Sequence, residues 1–211
     1  MPQSKFVEDL EYEKKLASFL DNTYYRDKKI FPQRFTLQRV TDLEMQHKGV
    51  DLIIYNQEDG QKIYIDEKAQ AHYINKSLPT FAFELSYLKE NNLKIGWFYD
   101  KRKITQQYFL ITCIEVQNKD IKSCRLICVD RVKLQTWLEM RGLSYKVLLS
   151  YENKLRQEES SGKHLLTELS KNEGFLYYTT SLVEKPINIV LYLNVLLNRG
   201  IATEFFPCKL I

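Results

Sequence analysis

The chain has 211 residues, of which 44% are hydrophobic and 27% charged, proportions that are ordinary for a folded globular protein. Its 31 Lys and Arg residues against 27 Asp and Glu residues give a net charge of +4, which suits a nucleic-acid partner without requiring one. The sequence contains no GxxxxGKS/T, GxGxxG or GxSxG pattern, so a P-loop, a dinucleotide-binding fold and a serine nucleophile elbow have no support.

The first predicted element is a helix over residues 4–21, with Ser4 at its N-cap. An apolar stripe recurs at helical spacing and comprises Phe6, Leu10, Leu16, Ala17 and Leu20. Glu13 falls in the middle of this stripe, where a carboxylate needs a partner or a metal. The alternative is that this end of the helix is lifted into solvent and that Glu13 is a surface charge.

Three strands are predicted next, over residues 35–40, 50–55 and 63–69. The last two are rich in Ile, Val and Tyr, and the polar sequence Glu58-Asp59-Gly60 supplies the turn between them. The third strand carries the charged triplet Asp66-Glu67-Lys68. Charges inside such a strand require a partner or a metal, so the triplet is a candidate functional site.

The hairpin register decides which of these charges share a face. If the turn is centred on residues 59–60, Asp51 faces Lys68 across the two strands. Facing residues, and residues two apart on one strand, project from the same side of a sheet. Asp51, Asp66 and Lys68 then cluster on one face and Glu67 points the other way. A one-residue change of register would bring Glu67 to that face instead.

Two carboxylates and a lysine on one face suit metal-assisted hydrolysis of a phosphodiester. Carboxylates hold a hard cation such as Mg²⁺. The cation polarises the phosphate and lowers the pKa of a bound water, and a lysine orients that water or stabilises the developing charge. The alternative is a surface hairpin with an ordinary Asp–Lys pair, which contributes little.

This arrangement resembles the PD-(D/E)XK nuclease superfamily, which includes many restriction endonucleases. Asp51 and the following strand with Asp66-Glu67-Lys68 supply the core motif. Gln46-x-x-Gly49-Val50-Asp51 resembles the QxxGxD pattern of several of these families, and Gln70 resembles the (D/E)xKxQ variant. Val50 stands where the superfamily has proline. The resemblance spans roughly residues 5–115.

The resemblance implies a restriction-endonuclease-like α/β core with the order α-β-β-β-α-β and a mixed central sheet flanked by helices. It implies a nuclease that acts on nucleic acid, expected to be DNA, with Mg²⁺ as cofactor and Mn²⁺ as a possible substitute. The implied metal ligands are Asp51, Asp66 and Glu13, with Lys68 beside the attacking water. The expected residues around them are Gln46, Gln70 and Glu84.

The following elements complete the predicted core. A helix is expected over residues 77–91, with Thr80 and Glu84 near its N-terminal end. The other predicted elements are strands over 94–99, 108–116 and 125–130 and a helix over 131–141. Lys101, Arg102 and Lys103 form a basic turn, which is either a phosphate contact or an ordinary solvated loop.

A polar stretch over residues 152–163 predicts a linker, so the nuclease core is assigned to 1–150 and a C-terminal α+β extension to 151–211. The extension is predicted to contain a helix over 165–172, a strand over 175–180 and a helix over 186–198. It either completes the domain or forms an appendage for target recognition or dimerisation, so a homodimer is possible.

The cysteines and the apolar runs indicate the cellular compartment in which the protein is expected. The four cysteines lack zinc-site spacing and are expected to be buried free thiols: Cys113, Cys124, Cys128 and Cys208. No N-terminal signal peptide is visible, and the longest apolar run, near 187–197, is too short and too interrupted to span a membrane. We therefore expect a cytoplasmic protein that does not contact membranes.

Three hypotheses follow from the sequence. The first is a Mg²⁺-dependent nuclease. The second is a catalytically silent module of the same fold that binds nucleic acid or a protein partner. The third is a structural protein whose hairpin resembles the motif by chance, and it leaves Glu13 unexplained.

Overall fold

The structure, a computed structural model, describes residues 3–209, with side chains described from residue 11 onward. The α-helices of this part of the chain are α1 (Gln3–Asn22), α2 (Leu43–His47), α3 (Arg131–Met140), α4 (Tyr145–Gln157) and α5 (Leu193–Asn198). The strands are β1 (Phe35–Arg39), β2 (Leu52–Asn56), β3 (Lys62–Ala69), β4 (Thr80–Lys89), β5 (Asn92–Ile95), β6 (Gln107–Gln117), β7 (Asp120–Asp130), β8 (Gly162–His164), β9 (Gly174–Tyr178), β10 (Ile187–Tyr192) and β11 (Ala202–Phe206).

The architecture is α/β, composed mostly of strands in two sheets. The first, the mixed sheet, has the order β1-β2-β3-β6-β7-β11, with β3 and β6 parallel and the other neighbours antiparallel. The second, the antiparallel sheet, has the order β5-β4-β10-β9-β8. β6 lies inside the mixed sheet, and residues 108–114 are all buried, which is why this strand is almost continuously apolar.

Two hydrophobic cores cover the two faces of the mixed sheet. Tyr108 and Leu110 belong to a core that contains residues of the antiparallel sheet, α3 and α4. Phe109 and Ile111, which alternate with them along β6, belong to a core that contains α1. The mixed sheet therefore has helix α1 on one face and the second sheet with its helices on the other.

The N-terminal helix and the first three strands were predicted at the right places. Leu16 and Leu20 of α1 are buried in the α1 core, as the apolar stripe requires. The side chains of Ser4, Phe6 and Leu10, from which the start of this helix was predicted, lie outside the described residues.

The helix predicted over 77–91 is wrong, because this segment is strand β4. Phe81, Leu85 and Leu88 fit a helical stripe, but Phe83 lies between them and is equally buried. Burial of Phe81, Phe83 and Leu85 follows a period of two, which is that of a strand. β4 pairs with β5 on one side and with β10 on the other.

The linker predicted over 152–163 is also wrong, since α4 continues to Gln157. Leu148, Glu152 and Leu155 form its buried stripe, in which a carboxylate occupies an apolar position and hides the helical period. The helix predicted over 186–198 is divided into β10 and the short α5. The helix predicted over 165–172 is wrong, because this segment contains turns and irregular backbone and no helix.

The C-terminal third of the chain contributes strands to both sheets. β10 pairs with β4 of the antiparallel sheet, and β11 pairs with β7 of the mixed sheet. The boundary expected at residues 150 and 151 falls inside α4. Among helices of the described residues, none combines the length and apolarity needed to cross a bilayer.

The prediction of four free thiols is wrong for two of them. Cys113 of β6 forms a disulfide with Cys208, 95 residues away, with a Cα–Cα distance of 5.8 Å. The pairing of β11 with β7 brings the C-terminal segment back to the mixed sheet, a long-range contact that cysteine spacing does not reveal. Cys124 and Cys128 are buried free thiols, as expected.

Candidate active site

The candidate site lies where β3 extends beyond the start of β2. Leu52, the first residue of β2, pairs with Ile65, and β3 continues to Ala69 with β6 on its other side. Asp51 occupies the place beside this extension. Its backbone N–H donates to the Ile65 carbonyl at 2.8 Å, and its Oδ2 accepts the Glu67 backbone N–H at 2.8 Å. The Asp51 carboxylate therefore accepts the β3 hydrogen bond that the backbone of a longer β2 would have accepted.

The hairpin register differs by two residues from the predicted one. The observed pairs run from Leu52–Ile65 to Tyr55–Lys62, so the turn is centred on residues 58–59. In this register Asp51 comes opposite Asp66. A shift of two residues preserves the faces, because the strand period is two.

Asp66 and Lys68 form an ion pair on the face of β3 that carries Tyr108 of β6. The Lys68 Nζ lies 2.5 Å from Asp66 Oδ1 and 5.2 Å from the centroid of the Trp97 ring. Asp66 is only 3% exposed. Burial raises the pKa of Asp66 to about 6; the Lys68 charge opposes this and the nearby Asp51 carboxylate adds to it.

Glu84 of β4 approaches this ion pair from the antiparallel sheet. Burial raises the pKa of Glu84, while a hydrogen bond from the Trp97 backbone and the Lys68 charge lower it. Lys68 is thus surrounded by Asp66, Glu84 and the Trp97 ring. Glu84 was predicted near the site on a helix, and it reaches the site from a strand.

Glu67 points to the opposite face and is bound by Tyr25, in the short 3₁₀ helix Tyr24–Arg26 that follows α1, and by Arg39 of β1. Its carboxylate accepts hydrogen bonds from the Tyr25 hydroxyl and from Arg39 Nη1, the latter at 2.5 Å. Arg39 also donates to both oxygens of Asp21, at 2.8 and 2.7 Å. Burial raises the pKa of Glu67, and the bonds to Arg39 and Tyr25 oppose that rise.

A cleft of about 530 Å³ opens between α1 and this part of β3. The charged residues along it are Glu13, Lys14, Arg39, Asp51, Glu67 and Lys68. Glu13 is exposed, not buried in an apolar stripe, but it lines the same cleft as Asp51. Asp66 does not line this cleft. The cleft brings Glu13 together with Asp51, Glu67 and Lys68, and Asp66 lies beside Asp51 and Lys68 just outside it.

The side chains of Gln46 and Gln70 each donate a hydrogen bond to a backbone carbonyl near the site. Gln46 Nε2 donates to the Val40 carbonyl at 3.0 Å and ties α2 to the end of β1. Gln70 Nε2 donates to the Thr80 carbonyl at 2.9 Å and ties the end of β3 to the start of β4. Both therefore support the strands that carry the carboxylates.

Three contributors were not identified from the sequence: Arg39, Tyr25 and Trp97. Trp97 was read as part of a strand, and its contact with Lys68 joins residues 29 positions apart. Such contacts have no local sequence pattern. The buried Glu67 was the one available indication, since a carboxylate pointing into a core needs a cation nearby.

Comparison of the chain with protein-family models, with curated proteins and with solved structures gave no match. Within the side chains that the structure describes, no three His, Cys, Asp or Glu residues come together as a complete set of metal ligands. The assignment of a function therefore depends on the geometry around Asp51, Asp66 and Lys68.

Proposed function

We propose that the protein is a metal-dependent nuclease that hydrolyses phosphodiester bonds, with DNA as the expected substrate. The observation that carries the proposal is the approach of Asp51 to β3, beside a buried Asp66 that holds the Lys68 ammonium at 2.5 Å. Two carboxylates and a lysine at the end of paired strands are the groups that this hydrolysis needs.

The topology supports a restriction-endonuclease-like core. Helix α1 precedes β1, β2 and β3, and β6 then joins the mixed sheet parallel to β3. The difference from the expected order is the β4–β5 hairpin, which stands where a second helix was expected.

The donor set fits a hard divalent cation. The Asp51 carboxylate lies close enough to Asp66 to raise the pKa of Asp66 further, and Mg²⁺ commonly uses one or two protein carboxylates and keeps several waters. Glu13 lines the same cleft as Asp51, but among the described side chains it does not form a three-ligand group with Asp51 and Asp66. A bound cation supplies polarisation of the phosphate and a more acidic water.

Residues of this chain orient the reaction. The Asp66 carboxylate and the Trp97 ring fix the Lys68 ammonium, which is 28% exposed and can donate to a water or to a phosphate oxygen. In hydrolysis the water oxygen forms a bond to phosphorus, the bond to the leaving sugar oxygen breaks, and the water proton is lost as the leaving oxygen gains one. Lys68 stabilises the negative charge that builds on the phosphate.

The test is a cleavage assay on supercoiled, linear and branched DNA and on RNA, with Mg²⁺ or Mn²⁺, using the wild-type protein and Asp51→Asn. We expect cleavage of at least one substrate by the wild type only. Absence of cleavage by the wild type on every substrate, or equal cleavage by both proteins, would contradict the proposal.

One observation favours a second candidate, a silent nuclease-fold module that binds nucleic acid or protein. Asp66 is nearly inaccessible and already bound to Lys68, while Asp51 already accepts the Glu67 N–H. Because these two carboxylates already have hydrogen-bond or ion-pair partners within the protein, they also suit a structural role. A wild-type protein that binds DNA equally well with and without Ca²⁺ and never cleaves would support this candidate.

A further inference from the structure

The segment Gly96–Gln106 joins β5 to β6 and touches the candidate site at two places; we call it the clasp loop. Near its start, the Trp97 ring lies 5.2 Å from Lys68 Nζ, within the range of a cation–π contact. The backbone N–H of the next residue, Phe98, donates to the Glu84 carbonyl at 3.2 Å. The first part of the loop thus forms one wall around the lysine.

The far end of the clasp loop holds the segment that leads to Asp51. The loop donates hydrogen bonds to the carbonyls of three consecutive residues, 47–49. The donors are Lys103 Nζ at 2.8 Å, the Ile104 N–H at 2.9 Å and the Thr105 hydroxyl at 2.6 Å. Asp51 follows two residues later, so the position of the loop helps to set the position of its carboxylate.

The contact with Gly49 leaves no room for a side chain. Gly49 has φ +76°, and a Cβ there would lie 2.6 Å from Thr105 Oγ1. The glycine of the motif is therefore required by the close approach of the clasp loop as well as by its backbone conformation.

One side chain binds the clasp loop along most of its length. Arg131, the first residue of α3, donates to four of its carbonyls. Nη1 lies 2.8 Å from the Lys103 oxygen and 3.2 Å from that of Thr105, and Nη2 lies 3.0 Å from the Asp100 oxygen and 3.4 Å from that of Phe98. A planar guanidinium can serve four acceptors at once, which the single ammonium of lysine cannot do with the same geometry.

We propose that Arg131 is a positioning residue, which acts through the clasp loop to hold Trp97 against Lys68 and to hold Asp51 against β3. Its place in catalysis rests on the proposed nuclease function. Its effect on the Trp97 ring and on the Asp51 backbone does not depend on that function.

The first test is Arg131→Lys in a Trp137→Phe background. The chain has two tryptophans, so this background leaves Trp97 as the only one. We expect the acrylamide quenching constant of Trp97 to rise by about twofold or more, since the ring loses its fixed wall. We expect kcat for DNA cleavage to fall by about 100-fold with KM nearly unchanged, because misplaced groups lose transition-state contacts and keep ground-state binding.

The matched control is Lys133→Gln, which removes an exposed cation from the same helix. It should leave Trp97 quenching and kcat at the values of the Trp137→Phe parent. A folded Arg131→Lys protein with parental quenching and parental kcat would overturn the proposal.

A second variant decides the question if Arg131→Lys fails to fold. Thr105→Val cuts the bond to the Gly49 carbonyl and keeps the size of a buried side chain. Hydrogen exchange at the Asp51 amide should become about tenfold faster or more. Unchanged exchange would overturn the proposal. If the wild-type protein cleaves no nucleic acid, the nuclease function fails, and quenching and exchange still decide the role of Arg131.

Discussion

The Asp51 side-chain Oδ2 accepts a 2.8 Å hydrogen bond from the Glu67 backbone N–H. This bond needs an oxygen acceptor and does not need a negative charge. Asp51→Asn preserves the acceptor, whereas Asp51→Ala removes it. Comparison of the two variants therefore separates the effect of the hydrogen bond to Glu67 from the effect of the negative charge of Asp51.

We expect Asp51→Asn to lose cleavage by several orders of magnitude and to keep or raise the melting temperature, because it removes one of two neighbouring negative charges. Asp51→Ala should lose cleavage and also about 1–2 kcal/mol of stability. The control is Asp59→Asn in the turn of the same hairpin, where Oδ1 accepts the Gln61 N–H. A large loss of stability in Asp51→Asn would identify a structural aspartate.

Lys68 separates chemistry from binding. Lys68→Ala should lower turnover by orders of magnitude and weaken DNA binding by no more than one phosphate contact, because the ammonium acts on charge formed in the transition state. Lys68→Arg should not restore turnover, since a planar guanidinium does not replace a compact ammonium beside Asp66. The measurement pairs the cleavage rate in Mg²⁺ with DNA affinity in Ca²⁺.

The control for Lys68 lies on the same strand. Lys62 Nζ lies 5.4 Å from the centroid of the Tyr55 ring, so it has a similar cation–π contact without the carboxylates. Lys62→Ala should leave turnover unchanged. Equal losses of turnover and affinity in Lys68→Ala would make Lys68 a binding residue and favour the silent module.

Arg39 is expected to stabilise the fold through the buried Glu67. Arg39→Met leaves Glu67, whose side chain is 12% exposed, without its cation, and should cost about 3 kcal/mol in urea unfolding. Arg39→Met combined with Glu67→Gln should cost less than Arg39→Met alone, because the unpaired charge is gone. Additive losses would show that the two side chains do not interact.

An exposed pair provides the comparison for Arg39. Arg34 and Glu58 lie 3.9 Å apart with side chains 52% and 66% exposed. Arg34→Met should change the free energy of unfolding by less than about 0.5 kcal/mol. A similar effect of Arg34→Met and Arg39→Met would mean that burial of Glu67 is not the cause.

The sequence identified the strands and the motif residues better than the layers around them. The β2–β3 hairpin has a two-residue period with a polar turn, so its faces could be predicted even though its turn lies one residue earlier. β4 was taken for a helix because Phe81, Leu85 and Leu88 fit a helical spacing, although Phe81, Phe83 and Leu85 also share one face of a strand. Pairing with β5, which follows β4 directly, and with β10, which is distant along the chain, decides for the strand.

The surroundings of the site depend on contacts that sequence spacing does not contain. Arg39 reaches Glu67 across 28 residues, and Arg131 reaches the clasp loop from the start of α3. Each of these partners has an ordinary sequence context. Glu152 is a further case, since a buried carboxylate interrupted the apolar stripe of α4 and made a helix read as a linker.

Glu152 is expected to make stability depend on pH. It is 2% exposed, and burial raises its pKa from 4.5 to about 7, with Ser86 and the Arg156 charge opposing the rise. The folded protein holds this proton more tightly than the unfolded chain. The contribution to stability is therefore complete below about pH 4.5 and is lost as the pH rises through 7.

Glu152→Gln should remove this dependence. The variant should match the wild type near pH 4 and exceed it near pH 8 by an amount on the order of 2 kcal/mol, measured by urea unfolding across this range. Glu158→Gln, at the exposed end of the same helix, should follow the wild-type curve. A Glu152→Gln curve parallel to that of the wild type would show that this carboxyl does not titrate between pH 4.5 and 7.

The position of Mn²⁺ in crystals of the protein, found from anomalous scattering, tests directly whether Asp51 and Asp66 share a metal ion. We expect a peak bound by carboxylate oxygens of both Asp51 and Asp66, at about 2.1 Å as for Mg²⁺–oxygen bonds. Loss of the peak in Asp51→Asn crystals should accompany it. A Mn²⁺ ion held only by other side chains, with Asp66 still bound to Lys68 and Asp51 to Glu67, would contradict the proposed metal site.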